Sequence, residues 1–307
     1  MSNPAASFEP YRWRLLGLAY RMLGSMADAE DAVQETYLRW HAAHREKVSD
    51  PRAFLMTTTT RICLDMLTSA RARHEEYVGP WLPEPVVETA ALAPDSGTEL
   101  AEDLSFALLL TLDRLSPLER AAFLLHDVFD FSFSEVAAAL ERSEAACRQL
   151  AARARAHVRA VPPRGTIAPP ARSSEIDAKH TQLMSAFVAA TRSGDLNALT
   201  QLLASDVRVV TDGGGKVAAS LNVLDGADRA AQFLVGVTRK GWREDFTLRF
   251  ATINGQPGVI VDGPEGPVQT AAFEIEGDVI RALYVVRNPD KLRHLAATSV
   301  PHESGPA

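Results

Sequence analysis

Cysteine is scarce in this chain: Cys63 and Cys147 are the only two among 307 residues. Two cysteines cannot build a disulfide framework, nor a zinc site on their own. No run of 18 or more apolar residues exists, so no membrane-spanning helix is expected. The first residues lack the basic-then-apolar pattern of a signal peptide, which predicts a cytoplasmic protein. There is no internal repeat and no low-complexity tract. Three glycines precede Lys216, but the spacing GxxxxGK[ST] is missing, so a nucleotide cradle is not expected. No His/Asp pair has a spacing that predicts acid–base work, and no residue cluster has metal-ligand spacing. Catalytic residues, metal and cofactor are therefore all expected to be absent. What is present is an ordinary globular composition, 46% hydrophobic and 23% charged, which excludes wholesale disorder.

The net charge of −7 and pI of about 5.7 speak against nucleic acid as a partner. The distribution of charge reverses that reading. Residues 76–100 hold five acids, no base and four prolines, the composition of a linker. Residues 142–164 hold six Arg against one acid, Glu144. A second Pro-rich break falls at 162–174. The boundaries divide the chain into 8–75, an acidic linker 76–100, 101–161, a linker 162–174, and 175–298, with a loose tail after Val300.

Residues 8–75 read as helices. Ala29, Ala32, Val33, Tyr37 and Trp40 recur at three and four, marking one face of a helix over 28–41. Asp28 is the expected N-cap. A second helix opens at Pro51, a residue suited to the first helical position, and runs toward Arg61, Arg71 and Arg73. Cys63 reads as a small buried hydrophobe. In 101–161, Ser116-Pro117-Leu118-Glu119 and Ser132-Phe133-Ser134-Glu135 have capping-box spacing. A short helix over 136–140, a turn at Glu141-Arg142 and a longer helix capped by Ser143 make a helix-turn-helix pattern. The Arg excess there suits phosphate and guanine edges. In 175–298, two helices are expected over 175–204, broken at Ser193-Gly194-Asp195. His180 lies on the apolar face of the first of them. A strand at 207–210, a turn at 212–216 and a helix at 227–237 follow. Strands at 246–253, 259–261, 269–274 and 279–287 complete an α+β cone with an antiparallel curved sheet. The last two strands form a hairpin through Glu276-Gly277-Asp278. Asp212 and Asp290 read as turn residues, and fold analogy alone does not make the cone an enzyme.

On these residues, LLGLAYRMLGSMADAEDAVQETYLRW with DPRAFLMTTTTRICLDML resembles region 2 of bacterial extracytoplasmic-function sigma factors. LDRLSPLERAAFLLHDVFDFSFSEVAAALERSEAACRQLAARARAHV resembles their region 4. Three short motifs narrow the resemblance to the group with a fused C-terminal SnoaL-like (NTF2-like) domain: Trp81-Leu82-Pro83-Glu84-Pro85, Asp212-Gly213-Gly214-Gly215-Lys216 and Asn288-Pro289-Asp290-Lys291-Leu292. The resemblance implies two all-α sigma domains followed by the cone, with core RNA polymerase and promoter DNA as partners. Asp31, Val33, Gln34 and Glu35 would bind the β′ clamp coiled coil, and region 4 would meet the β flap. Arg61, Asp65, Arg71 and Arg73 would read the −10 element; Arg61 stands where many relatives carry Asn. Ser143, Ala145, Arg148, Gln149, Arg153 and Arg155 would read the −35 element. No membrane partner is implied, and the cone has room in principle for an unknown small ligand.

Two further expectations concern regulation. Trp81 favours a partly buried site, and Lys216 and Lys291 are expected to pair with Glu84 or neighbouring acids. The C-terminal domain would then dock on the linker and the sigma domains. Two rival readings remain: a ligand-sensing helix-turn-helix regulator, and a SnoaL-type enzyme fused to a DNA-binding module.

Overall fold

A computed structural model of the chain describes residues 4–43, 48–75, 77–87, 104–160 and 174–296. The chain divides into two compact units. One joins Met1–Glu76 with Glu102–Ile167, and the other joins Tyr77–Ala101 with Ala168–Ala307. The two helical segments thus share one unit, and the linker belongs with the C-terminal segment.

The helical unit opens with α1 (Pro4–Leu23), α2 (Met26–Ala42) and α3 (Pro51–Glu75). Its core includes Leu15, Leu18, Tyr20, Met22, Leu55 and Met56, all buried. The cap of α2 is Ser25, whose hydroxyl accepts from Asp28 N at 3.2 Å. Asp28 therefore sits in the first turn, where its charge suits the positive helix end, rather than at the cap. Pro51 opens α3 as expected, and Asp50 Oδ1 accepts from Ala53 N at 3.1 Å. Four consecutive threonines, 57–60, are poor helix formers. Thr58, Thr59 and Thr60 donate their hydroxyls to the carbonyls of Phe54, Leu55 and Met56, which satisfies these polar groups inside a packed helix.

The same unit continues with α4 (Phe106–Asp113), α5 (Pro117–Phe123), a π-turn over Leu124–Val128, α6 (Phe133–Leu140) and α7 (Glu144–Ala160). Both expected capping boxes are formed, Ser116 with Glu119 and Ser132 with Glu135. Between α6 and α7, Glu141 adopts φ 54°, the left-handed conformation that ends a helix tightly. Arg153 and then Ser116 hold the Glu119 carboxyl below its usual range, and Ser132 does the same for Glu135. Carboxyls lowered in the folded state contribute stability that is present above the ordinary value of about 4.3 and lost as pH falls through the lowered one. Glu119→Gln and Glu135→Gln together should therefore flatten the acid limb of thermal melts between neutral pH and pH 3. An unchanged limb would contradict this origin of acid lability.

The C-terminal unit carries α8 (Ser174–Ser193), α9 (Leu196–Leu202), β1 (Leu203–Asp212), β2 (Leu224–Asp225), α10 (Ala227–Gly241), β3 (Thr247–Ile253), β4 (Gln256–Gly263), β5 (Gly266–Glu276), β6 (Val279–Val286) and α11 (Pro289–Ala296). The six strands form one sheet in the order β2-β1-β6-β5-β4-β3. Its pairings are antiparallel except β1 with β6, which is parallel; the expectation of a wholly antiparallel sheet is corrected there. Parallel pairing is possible because a long crossover, including α10 and four strands, separates β1 from β6. Met184, Phe187, Leu199, Val209, Ala230, Phe273 and Leu283 are among the residues packed between the helices and one sheet face. This is the NTF2-like cone, with an apolar interior. His180 is half-buried on α8.

Candidate linker-docking site and nucleic-acid interface

The three short motifs converge within the C-terminal unit. At the end of β1, the carboxylate of Asp212 is fully buried. Its Oδ1 accepts from Tyr77 Oη at 2.5 Å and from Gly214 N at 3.0 Å. Its Oδ2 accepts from Leu82 N at 2.9 Å and from Lys291 Nζ at 2.8 Å. Lys291 in turn donates to the Leu82 carbonyl at 2.5 Å. Its ammonium lies 4.8 Å from the Tyr77 ring centroid and 4.4 Å from that of Trp81, within cation–π range of both. Asn288 Nδ2 donates to Tyr77 Oη at 2.9 Å. Burial, followed by the bond to Asp212, pushes the Tyr77 phenol up, which keeps it a protonated donor. A buried ion pair is tolerable only when its remaining polar valences are filled, and here linker groups fill them.

The glycines of the turn have steric reasons. Gly214 has φ +59°, and a Cβ there would lie 2.2 Å from Asn288 Nδ2. Gly215 has φ +69°, and its Cβ would press on Val78 at 3.1 Å. Lys216 forms an ion pair with Asp290, holding the turn to the start of α11 and keeping the Asp290 carboxyl low. Both lysines thus find acids inside the C-terminal unit, Asp290 for Lys216 and Asp212 for Lys291. Further along the linker, Pro85 O meets His294 Nε2 at 2.8 Å. Val86 exchanges two 2.8 Å bonds with Asn254, and Val87 bridges Ile253. Leu82, Pro83 and Pro85 are buried, Trp81 and Glu84 half-buried. No local pattern singles out Tyr77, Asn254 or His294 for this role; only the fold brings them together with the linker contacts.

In the helical unit, α7 exposes Ala145, Arg148 and Gln149 on one face, behind the exposed cap Ser143. Arg148 pairs with Glu144 at 2.6 Å and lies over the Phe133 ring at 5.4 Å. Arg153 and Arg155 are tied to preceding elements, to Glu119 at 2.6 Å and Asp127 at 2.7 Å. These pairs brace the helix-turn-helix. On α2, Asp31 and Gln34 are exposed and Glu35 pairs with Arg39, whereas Val33 is 5% exposed and belongs to the core. Leu38, one turn on from Gln34, is 54% exposed and is the apolar member of that face. Asp65 is exposed. The side chains of Arg71 and Arg73 lie outside the described residues.

Residues 8–73 match the family Sigma-70 region 2, and residues 105–158 match Sigma-70, region 4. The chain is 39% identical over 296 residues to the ECF RNA polymerase sigma factor SigJ of Mycobacterium tuberculosis, covering 93% of this chain and 92% of that one. The chain belongs to the extracytoplasmic-function RNA polymerase sigma factors. It is an alternative sigma factor that directs transcription, carrying a C-terminal NTF2-like extension. The probable ECF sigma factor SigI of the same organism is 30% identical over 296 residues, covering 95% of this sigma factor and 96% of its own length. The crystal structure of M. tuberculosis SigJ superposes with a TM-score of 0.71 at 35% identity, covering 94% of this chain and 98% of that one. Sigma factors of this family are initiation factors rather than enzymes. Among the described residues, no helix of this sigma factor is long and apolar enough to cross a membrane.

Proposed function

We propose that this sigma factor binds core polymerase through the α2 surface of Asp31, Gln34, Glu35 and Leu38, and through region 4. It reads the −35 element with Arg148 and Gln149 at the start of α7, the end of a recognition helix that meets base edges. Its output is set in cis by whether the linker 77–87 is held on the C-terminal unit. The observation that supports this regulation is the buried Asp212–Lys291 pair, two of whose bonds go to Leu82 of the linker.

Trp81 covers Lys291 with its ring, so its removal weakens the clamp without touching a DNA-reading residue. Trp81→Ala is expected to increase cleavage of the linker by protease several-fold and to change run-off transcription from a cognate promoter with core polymerase. Unchanged protease sensitivity and unchanged transcript would overturn the regulatory reading. Failure of the parent chain to initiate at any promoter would overturn the assignment of polymerase and DNA contacts.

A further inference from the structure

Three arginines of the helical unit donate across it to backbone carbonyls. Arg61 of α3 donates Nε to Ala139 O and Nη2 to Ala138 O, both at 2.9 Å, and Nη1 faces Glu141 Oε1 at 3.2 Å. Arg52, also of α3, donates to Phe129 O and lies 4.9 Å over the Phe131 ring. Arg120 of α5 donates to Met22 O of α1.

The Arg61 contact completes the end of α6. The last carbonyls of a helix lack intrahelical partners and carry its negative pole. In α6, Ala137 O is taken by the backbone N–H groups of Glu141 and Arg142. Ala138 O and Ala139 O are taken by Arg61. The guanidinium therefore serves as the C-cap of the first helix of the helix-turn-helix, supplied from region 2. Beside it, a cleft of about 380 Å³ lined by Arg39, Thr57, Thr58, Arg61, Phe131 and Glu135 remains between α3 and α6. At this place polar bonds, more than a filled apolar seam, hold the two segments.

We infer that Arg61 is a latch that holds a promoter-blind, closed form of the sigma factor. The inference rests on the sigma reading and goes beyond the linker clamp. Elements at −10 and −35 are centred about 25 base pairs apart, roughly 85 Å at 3.4 Å a step. From Ala139, on which Arg61 rests, to Gln149 in the reading helix is ten residues, at most about 36 Å even fully extended. A chain whose Arg61 is bonded to Ala139 cannot bring α3 and α7 to both elements at once. Opening must break these bonds, and the freed fork then offers the same donors to a phosphate or a base edge. One side chain thus exchanges two protein carbonyls for nucleic acid, so closure and promoter engagement exclude each other.

The test places a donor and an acceptor dye on cysteines introduced at the exposed positions Glu30 and Ala156 of the full chain. The native thiols Cys63 and Cys147 are buried and pushed up by burial, so they compete poorly for label. In the free protein, Arg61→Ala is expected to reduce transfer efficiency at least two-fold. Arg52→Ala/Arg61→Ala should reduce it further, with far-UV circular dichroism retained. The parent chain should show the same loss when core polymerase and promoter DNA are added. Unchanged efficiency in both variants would overturn the latch, as would initiation by the parent with efficiency still high. Absence of any initiation by the parent would instead count against the sigma reading, because the free-protein arm does not depend on it.

Discussion

Asp212→Ala is expected to destabilise the C-terminal unit by about 3–5 kcal/mol, the magnitude of removing one partner from a buried ion pair. The variant strands Lys291, whose side chain is 10% exposed, and leaves Tyr77 Oη, Leu82 N and Gly214 N without their acceptor. Most of this penalty is uncompensated burial rather than lost attraction. Asp212→Ala/Lys291→Met should therefore recover part of it, since no charge is then stranded. Scanning calorimetry of the full chain separates the outcomes: a single variant within about 0.5 kcal/mol of the parent would show that the node is not a buried pair in solution. The linker should respond in parallel, with cleavage within 77–87 accelerating in the single variant.

In the helical unit, the largest effect is expected at Arg120. Its side chain is 7% exposed, bonds Asp113 at 3.1 Å and donates to Met22 O. Burial pulls its guanidinium down and Asp113 works against that pull. Arg120→Ala leaves a buried carbonyl unpaired and opens a cavity, which together should remove about 2–4 kcal/mol. Urea denaturation followed by circular dichroism would register a lower midpoint, and a midpoint shared with the parent would exclude this role. Arg120→Lys should recover little, because a single ammonium on a shorter reach cannot serve both partners in the planar fork geometry.

Much of this arrangement was legible because the sequence carries its own punctuation. Ser116, Ser132 and Ser143 each open a helix by capping, and Pro51 opens α3, so the helix-turn-helix was readable from local chemistry alone. The same reading missed the NG turn between β3 and β4, where Asn254 and Gly255 both have positive φ, a strong hairpin signal. It also missed α11, since Asn288-Pro289-Asp290 reads as a turn until Leu292 and Leu295 are seen buried. The two motif lysines were legible as ion-pair formers, but their partners were set by tertiary packing. Arg153 and Arg155 look like phosphate contacts when charge is counted along the chain. Their acids, Glu119 and Asp127, lie 34 and 28 residues away, a distance no local pattern reveals. Arg61 was legible as a cation near nucleic acid, whereas its role at the end of α6 depends on a contact 78 residues away.

The edge strand β3 gives the docked linker a second consequence. Apart from β4, its described partner is Val87, at Ile253, and Phe250 in the middle of the strand is 45% exposed. An open edge with an exposed aromatic is a template for pairing with another copy. Val86 and Val87 cover one end of that template by bonding to Asn254 and Ile253. Detaching the linker would lengthen that open edge, so a chain with the linker released should be the more aggregation-prone form, and solubility should bound how long such a form persists.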